Sequence, residues 1–268
     1  VQSERGGLKK INKLLPSFLK KSIFNFRRKR IDFFMMKAAK IITFSQTSRQ
    51  RLLRYGYKAE QVQVIYHYPF EIPVFDANLG RVEKKEKTVL FVGTLTYHKG
   101  LHVIIQALKD VVQQVTSVKL TVVGQGKGKY PDRINSLVNK FNLKNHINFL
   151  GHRSNKEIFQ LIKDSDVIVV PEQWCSEFGP VILIEAKLCR KPVVAGKIGS
   201  IPEFVRDDLD GILVSFYDAH AFAKGIVQFL KDDSFSRKLA DSLSDSVKKA
   251  FDACENFNVL EKVYAACC

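Results

Sequence analysis

HINFLGHRSNKEIFQLIKDSDVIVVP, residues 146–171, holds two apolar runs, HINFLG and DVIVVP, on either side of a helical pattern from Ser154 to Lys163. Strands that are apolar throughout, with roughly 10–15 helical residues between them, belong to a parallel sheet covered on both faces. The same rhythm extends outward. Upstream lie a strand TVLFVG (88–93), a helix over 100–114, a strand VKLTVVG (118–124) and a helix over 131–141; downstream come a helix near 179–189 and a strand KPVVAG (191–196). The pattern predicts a doubly wound, Rossmann-like α/β domain over residues 80–268, with ligands bound outside the carboxyl ends of the strands and near helix N-termini.

The first 79 residues read differently. KIITFS (40–45) is a short buried strand, SQTSRQRLLRYG (45–56) a capped helix ending at a glycine, and VQVIYHYP (62–69) a strand running into proline. This is a βαβ fragment with too few strands to close a sheet, so an incomplete N-terminal α/β domain is expected. EIPVFDANLG and the charge run RVEKKEK that follow it have linker composition, which puts a domain boundary near residue 80. Ahead of the fragment, Phe18, Leu19, Ile23, Phe26, Phe33 and Phe34 recur at helical spacing between Pro16 and Lys40, with basic residues in the gaps. Such a segment is either a basic amphipathic helix on an anionic membrane or a surface helix whose core stripe is aromatic.

Charge sharpens that choice of partner. Of the formal net charge of +16, residues 1–54 carry +13, fifteen Lys and Arg against Glu4 and Asp32. An anionic partner for this end is expected: a phospholipid surface through residues 8–40, a nucleic acid or a phosphorylated substrate. Its aromatics form no RNA-binding motif, so the nucleic-acid reading has less support. A composition of 46% hydrophobic and 26% charged residues excludes a disordered chain. No uninterrupted apolar run approaches the ~20 residues needed to cross a bilayer. The five cysteines show no CxxC spacing and no histidine at ligand distance, which disfavours a zinc site or disulfide framework and fits a cytoplasmic compartment.

Candidate site residues cluster at the strand ends. After the first strand of the main domain comes GTLTYHKG (93–100), with Lys99 opening the next helix, where its charge adds to the helix N-terminal amides and favours a phosphate. VVGQGKGK (122–129) permits close backbone approach, but it is neither a P-loop nor a GxGxxG fingerprint, which weakens NTPase and dehydrogenase readings. PEQWCSEFGPVILIEA (171–186) places Glu177 just ahead of a helix and Glu185 about two turns into it. Two carboxylates facing one crevice suit a vicinal diol, which supplies two donors; one capping and one surface glutamate would give the same sequence.

FVGTLTYHKG, LTVVGQG, INFLGHRSNKEIFQLIKDSDVIVVP, SEFGPVILIEA and KPVVAGKIGSIPEFV, in this order, resemble the nucleotide-sugar-binding half of retaining GT-B glycosyltransferases of family 4. Residues 38–75 are similar to the closing portion of that family's amino-terminal domain. The resemblance implies a GT-B-like enzyme without most of its acceptor domain, moving a sugar with retention from a nucleotide diphosphate sugar to a glycan or lipid-linked acceptor, with no cofactor and no essential metal. The other function class it implies is a donor-binding subunit whose acceptor half comes from a partner chain. Carried over to this chain, it assigns Lys99 to the donor diphosphate and Glu185 to the ribose hydroxyls. Glu177 and the backbone of Phe178, Gly179 and Pro180 would hold the transferred sugar and phosphate, which makes Lys99 and Glu177 the catalytic candidates. His152 and Arg153 would lie near the nucleobase, and Gly93, Gly124 and Gly126 would leave room for the donor. The family often has Arg after the first of these glycines. Here that position is Thr94, so the resemblance leaves one cation, Lys99, facing the leaving diphosphate.

Overall fold

The computed structural model describes residues 35–66, 86–174, 179–208, 210–232 and 253–265. The basic helix expected over 16–40 falls almost entirely outside these, as do the linker after residue 66, the boundary near residue 80, and Cys175, Glu177 and Phe178.

A parallel pair, β1 (Ile41–Thr43) and β2 (Val62–Val64), is joined through α1 (Gln46–Arg54). Its small core is Ile41, Tyr57 and Val62, with Leu52 and Leu53 of α1 packed against them. The N-terminus of α1 is capped twice. The Ser45 hydroxyl accepts the Ser48 amide, as a serine before a helix should, and the Glu203 carboxylate accepts the amides of Gln46 and Thr47, at 2.7 Å for Gln46. Glu203 lies 157 positions downstream of Gln46, in the main domain. Beside it, Tyr66 meets Phe204 edge-on at 5.8 Å, and burial together with the Glu203 charge raises the Tyr66 hydroxyl above its usual pKa.

The main sheet has six parallel strands, β3 (Lys87–Val92), β4 (Val118–Val123), β5 (Ile147–Gly151), β6 (Val167–Val170), β7 (Val193–Gly196) and β8 (Ile212–Val214), in the order β5-β4-β3-β6-β7-β8. This is the doubly wound order that reverses direction between its first and fourth strands. The crossovers carry α2 (Leu101–Gln114), α3 (Lys129–Lys140), α4 (Asn155–Asp164), α5 (Val181–Leu188) and the short α6 (Ile201–Phe204); α7 (Ala219–Lys231) and α8 (Ala253–Ala265) follow β8. All four residues of β6 and of β7 are buried, as continuous apolar runs require. The edge strand β5 exposes Asn148 and Phe149. α2 buries Leu101, Val103, Ile104, Ile105 and Leu108 and packs against α7, which contributes Phe222, Ile226, Phe229 and Leu230.

Most strands and helices expected from sequence lie within a residue or two of those observed; the strand expected over 62–69 instead ends at Val64. One shift bears on function: the helix expected near 179–189 begins at Val181, so Glu185 sits one turn into it, not two. β8 and α7 extend the domain beyond the last strand expected. No helix among the described residues is long and apolar enough to cross a membrane.

Candidate functional site

The sheet changes winding direction between β3 and β6, which pair at Val89–Val167 and Leu90–Ile168. From β3 the chain proceeds to β4 and β5 on one side; from β6 it proceeds to β7 and β8 on the other. The loops leaving the carboxyl ends of β3 and β6 therefore part from each other and open a crevice, the usual ligand position in such sheets.

The β3 loop is braced by its neighbours. Gly93 and Leu95 donate to the Val123 and Gln125 carbonyls, both at 2.9 Å, and Gly124 donates to the Gly151 carbonyl at 2.8 Å. A Cβ on Gly124 would stand 1.9 Å from the Gly93 carbonyl oxygen, and one on Gly126 2.3 Å from that of Leu95. Gly124 and Gly126 are thus required first by loop-on-loop packing, whereas a Cβ on Gly93 would make only ordinary contacts, 3.5 Å from the Phe91 ring and 3.7 Å from the Lys99 side chain. Gly100, at φ +72°, is as tightly placed: its Cβ would lie 1.8 Å from the Pro171 carbonyl oxygen. The N-terminus of α2 is in this way pressed against the β6 loop.

Across that contact Lys99 meets Glu172. The Lys99 ammonium forms an ion pair with the Glu172 Oε1; the lysine side chain is 31% exposed and the carboxylate 6%. Lys99 closes a 3₁₀ turn after β3, and Glu172 is the second residue after β6. The pair therefore spans the switch point. A cavity of about 30 Å³ beside it is lined by Phe91, Val170, Pro180 and Ile182 as well as the pair itself. The next residue, Gln173, fastens three loops: its amide donates to the His98 carbonyl at 2.7 Å, and its side-chain nitrogen donates to the carbonyls of Pro171 at 3.3 Å and Phe216, after β8, at 2.5 Å. Trp174, which follows, is exposed. Neither Glu172 nor Gln173 was singled out from sequence. Their signal is positional, two polar side chains directly after a fully buried strand.

Glu185 is half-buried on α5, and burial alone pushes its carboxyl up to about 7. With no cation among the described residues offsetting that burial, its oxygens are suited to neutral donors such as hydroxyl groups. Gly179 is buried where a Cβ would lie 2.1 Å from the Phe204 ring, and Pro180 immediately precedes α5. After the edge strand β5, Arg153 donates to the His152 carbonyl at 2.9 Å and lies 3.6 Å from Glu157. Glu157 in turn completes a capping box with Ser154 at the start of α4. Arg153 is held by these contacts, while His152 is exposed. Thr94 is exposed, and its carbonyl accepts a 3.4 Å hydrogen bond from the Thr96 hydroxyl.

Behind the β3 loop, His102 is buried, lies 2.9 Å from the Tyr130 hydroxyl and stacks under Tyr97 at 4.6 Å. Burial, reinforced by Arg133, lowers its pKa to about 4, so it supports the loop as a neutral ring. Among the described residues, no three His, Cys, Asp or Glu side chains gather to hold a metal ion.

Known proteins are similar to this chain. An uncharacterized glycosyltransferase of Methanocaldococcus jannaschii is 27% identical over 229 residues, 80% of this chain and 57% of that protein. The D-inositol 3-phosphate glycosyltransferase of Corynebacterium aurimucosum is 28% identical over 183 residues, 67% of this chain and 43% of that one. The crystal structure of Anabaena HepE with UDP-glucose superposes with a TM-score of 0.73 at 26% identity, covering 85% of this chain and 64% of that chain. The chain spans about half the length of the curated relatives it matches. The model of the glycosyl transferases group 1 matches residues 77–249, from just ahead of β3 to beyond α7, and so takes in every strand of the main sheet and the whole switch-point crevice. Most of the chain, and all of the candidate site, therefore belongs to the glycosyl transferases group 1 family.

Proposed function

We propose that the chain is the donor-binding part of a glycosyltransferase that takes a sugar from a nucleotide diphosphate sugar. The observation that supports this reading is Lys99 beside a small cavity at the switch point, which Pro180 and Ile182 at the start of α5 also line. Lys99 and the α2 N-terminus offer positive potential to a diphosphate, and the half-buried Glu185, one turn into α5, offers acceptor oxygens to the ribose hydroxyls. Glu177 and the backbone at 178–180 hold the transferred sugar, with His152 and Arg153 at the nucleobase end. Sugar transfer breaks the bond to the diphosphate, so charge grows on the leaving oxygen. Preorganised positive groups stabilise that charge and assist departure. Retained configuration and independence from an essential metal complete the reading.

The acceptor, a glycan or a lipid-linked sugar, is met by an acceptor half supplied by further residues or by a partner chain. The coverage of the relatives, 57% and 43% of their lengths, favours this division of labour. Residues 8–40 bring the site to an anionic membrane surface, each basic residue contributing about 1 kcal/mol there. Since Anabaena HepE holds UDP-glucose, that compound is the first probe. Calorimetry with UDP-glucose, and with GDP- and ADP-glucose if it fails, should show binding that Glu185→Ala weakens by about 1.5–3 kcal/mol, the worth of charge-assisted hydrogen bonds. Equal affinity of wild type and variant would overturn the ribose role.

A further inference from the structure

We infer that Glu172 is a positioning residue that aims Lys99 at the leaving diphosphate and offsets its charge, so that the nucleoside diphosphate product is released readily. The inference rests on the donor-site reading above and deepens it.

The carboxylate is almost wholly buried, 6% exposed, and among the described residues Lys99 is the partner it has. A buried, ionised carboxylate needs such a partner. The pairing therefore draws the flexible lysine side chain from the β3 loop across to the β6 side of the switch point. An ammonium has three donors. One is spent on Glu172, which leaves two for a phosphate oxygen.

The electrostatic consequence is less obvious. Thr94 contributes no charge, and the Lys99–Glu172 pair sums to zero. The diphosphate therefore meets a directed hydrogen-bond donor whose net attraction is weaker than a lone lysine's, and the α2 N-terminus supplies the remaining positive potential. A lone lysine would grip the product, with its greater negative charge, more tightly than the donor sugar. A lysine shared with a carboxylate keeps its direction and loses much of that preference. Two neighbours hold the geometry: Gly100 keeps the start of α2 against the Pro171 carbonyl, and Gln173 ties the chain after Glu172 to the His98 carbonyl next to Lys99.

Two substitutions separate the two effects. Glu172→Gln keeps an oxygen that accepts from Lys99 and removes the charge. Glu172→Asp keeps the charge and shortens the reach. By calorimetric titration with UDP at 50 mM and 200 mM salt, Glu172→Gln should bind on the order of tenfold more tightly, the effect of deleting one negative charge near the diphosphate. Its affinity should also fall more steeply with salt. Glu172→Asp should bind more weakly than wild type, and stopped-flow release of UDP should be slower from Glu172→Gln. A purely structural glutamate would give weaker binding in both variants. A folded Glu172→Gln that binds UDP no more tightly than wild type, or a Glu172→Asp indistinguishable from it, overturns the inference. If wild type binds neither UDP nor GDP, or if Glu185→Ala binds like wild type, the donor-site reading itself fails and this inference falls with it.

Discussion

Replacing Glu185 by Gln should raise the stability of the protein above neutral pH, an unusual outcome for a residue placed in a binding site. The carboxyl titrates at about 7 in the folded chain against an ordinary value of 4.5, and the cause is burial. A folded-state pKa raised above the unfolded one means that the native protein holds the proton more strongly. The associated stability is complete below pH 4.5 and is lost as pH climbs through 7. Integrated over that window, the loss is about 3 kcal/mol, or about 6–12 °C in Tm for a domain of this size. Glutamine keeps the shape and cannot ionise, so it escapes the loss. The assay is thermal unfolding of wild type and Glu185→Gln from pH 4.5 to 8.5, read as the difference between the curves, which cancels other titrating groups such as His102. The variant should gain on wild type steadily between pH 5 and 8. Curves that run parallel across that range would refute the argument that Glu185 sits in a desolvated niche. A donor supplying hydroxyl groups should shrink the difference, because its hydrogen bonds stabilise the ionised form.

Two further outcomes follow from backbone and capping geometry. Gly100→Ala should destabilise the main domain by at least about 3 kcal/mol, since it combines a left-handed conformation with overlap on the Pro171 carbonyl. Gly56→Ala, at φ +89° with nothing within 4 Å, should cost only about 1 kcal/mol; denaturant melts of both would test the contrast. Glu203→Ala should leave the main sheet intact and cost about 1–2 kcal/mol at the α1 N-terminus, visible as faster hydrogen exchange at the amides of Gln46 and Thr47 with unchanged protection in β6 and β7.

The main sheet was legible because TVLFVG, DVIVVP and KPVVAG each hold a short continuous apolar run and VKLTVVG is broken only by Lys119 and Thr121, a pattern that fits strands covered on both faces. β8 was not: three half-buried residues, Ile212 to Val214, carry no periodicity. Lys99 was legible as a lysine between a strand end and a helix start. Its partner was not, because Glu172 stands 73 positions away and only the pairing of β3 with β6 brings them together. The glycines show a subtler gap. Gly124 and Gly126 were expected to clear space for a ligand, yet sequence does not distinguish a glycine facing a ligand from one facing the backbone of the next loop. Glu185 was found by its spacing from Glu177, but its raised pKa depends on how deeply α5 is seated, which no spacing reveals.

The double cap on α1 has a consequence for how the chain is made. Ser45 is synthesised next to the helix it caps, whereas Glu203 emerges 157 residues after Gln46. At roughly 5–20 residues per second of translation, α1 spends about 8–30 s with two amides of its first turn unanswered by their eventual carboxylate. β1, α1 and β2 are therefore a first-made piece completed by a late residue, and their final ordering waits on the formation of α6 after β7.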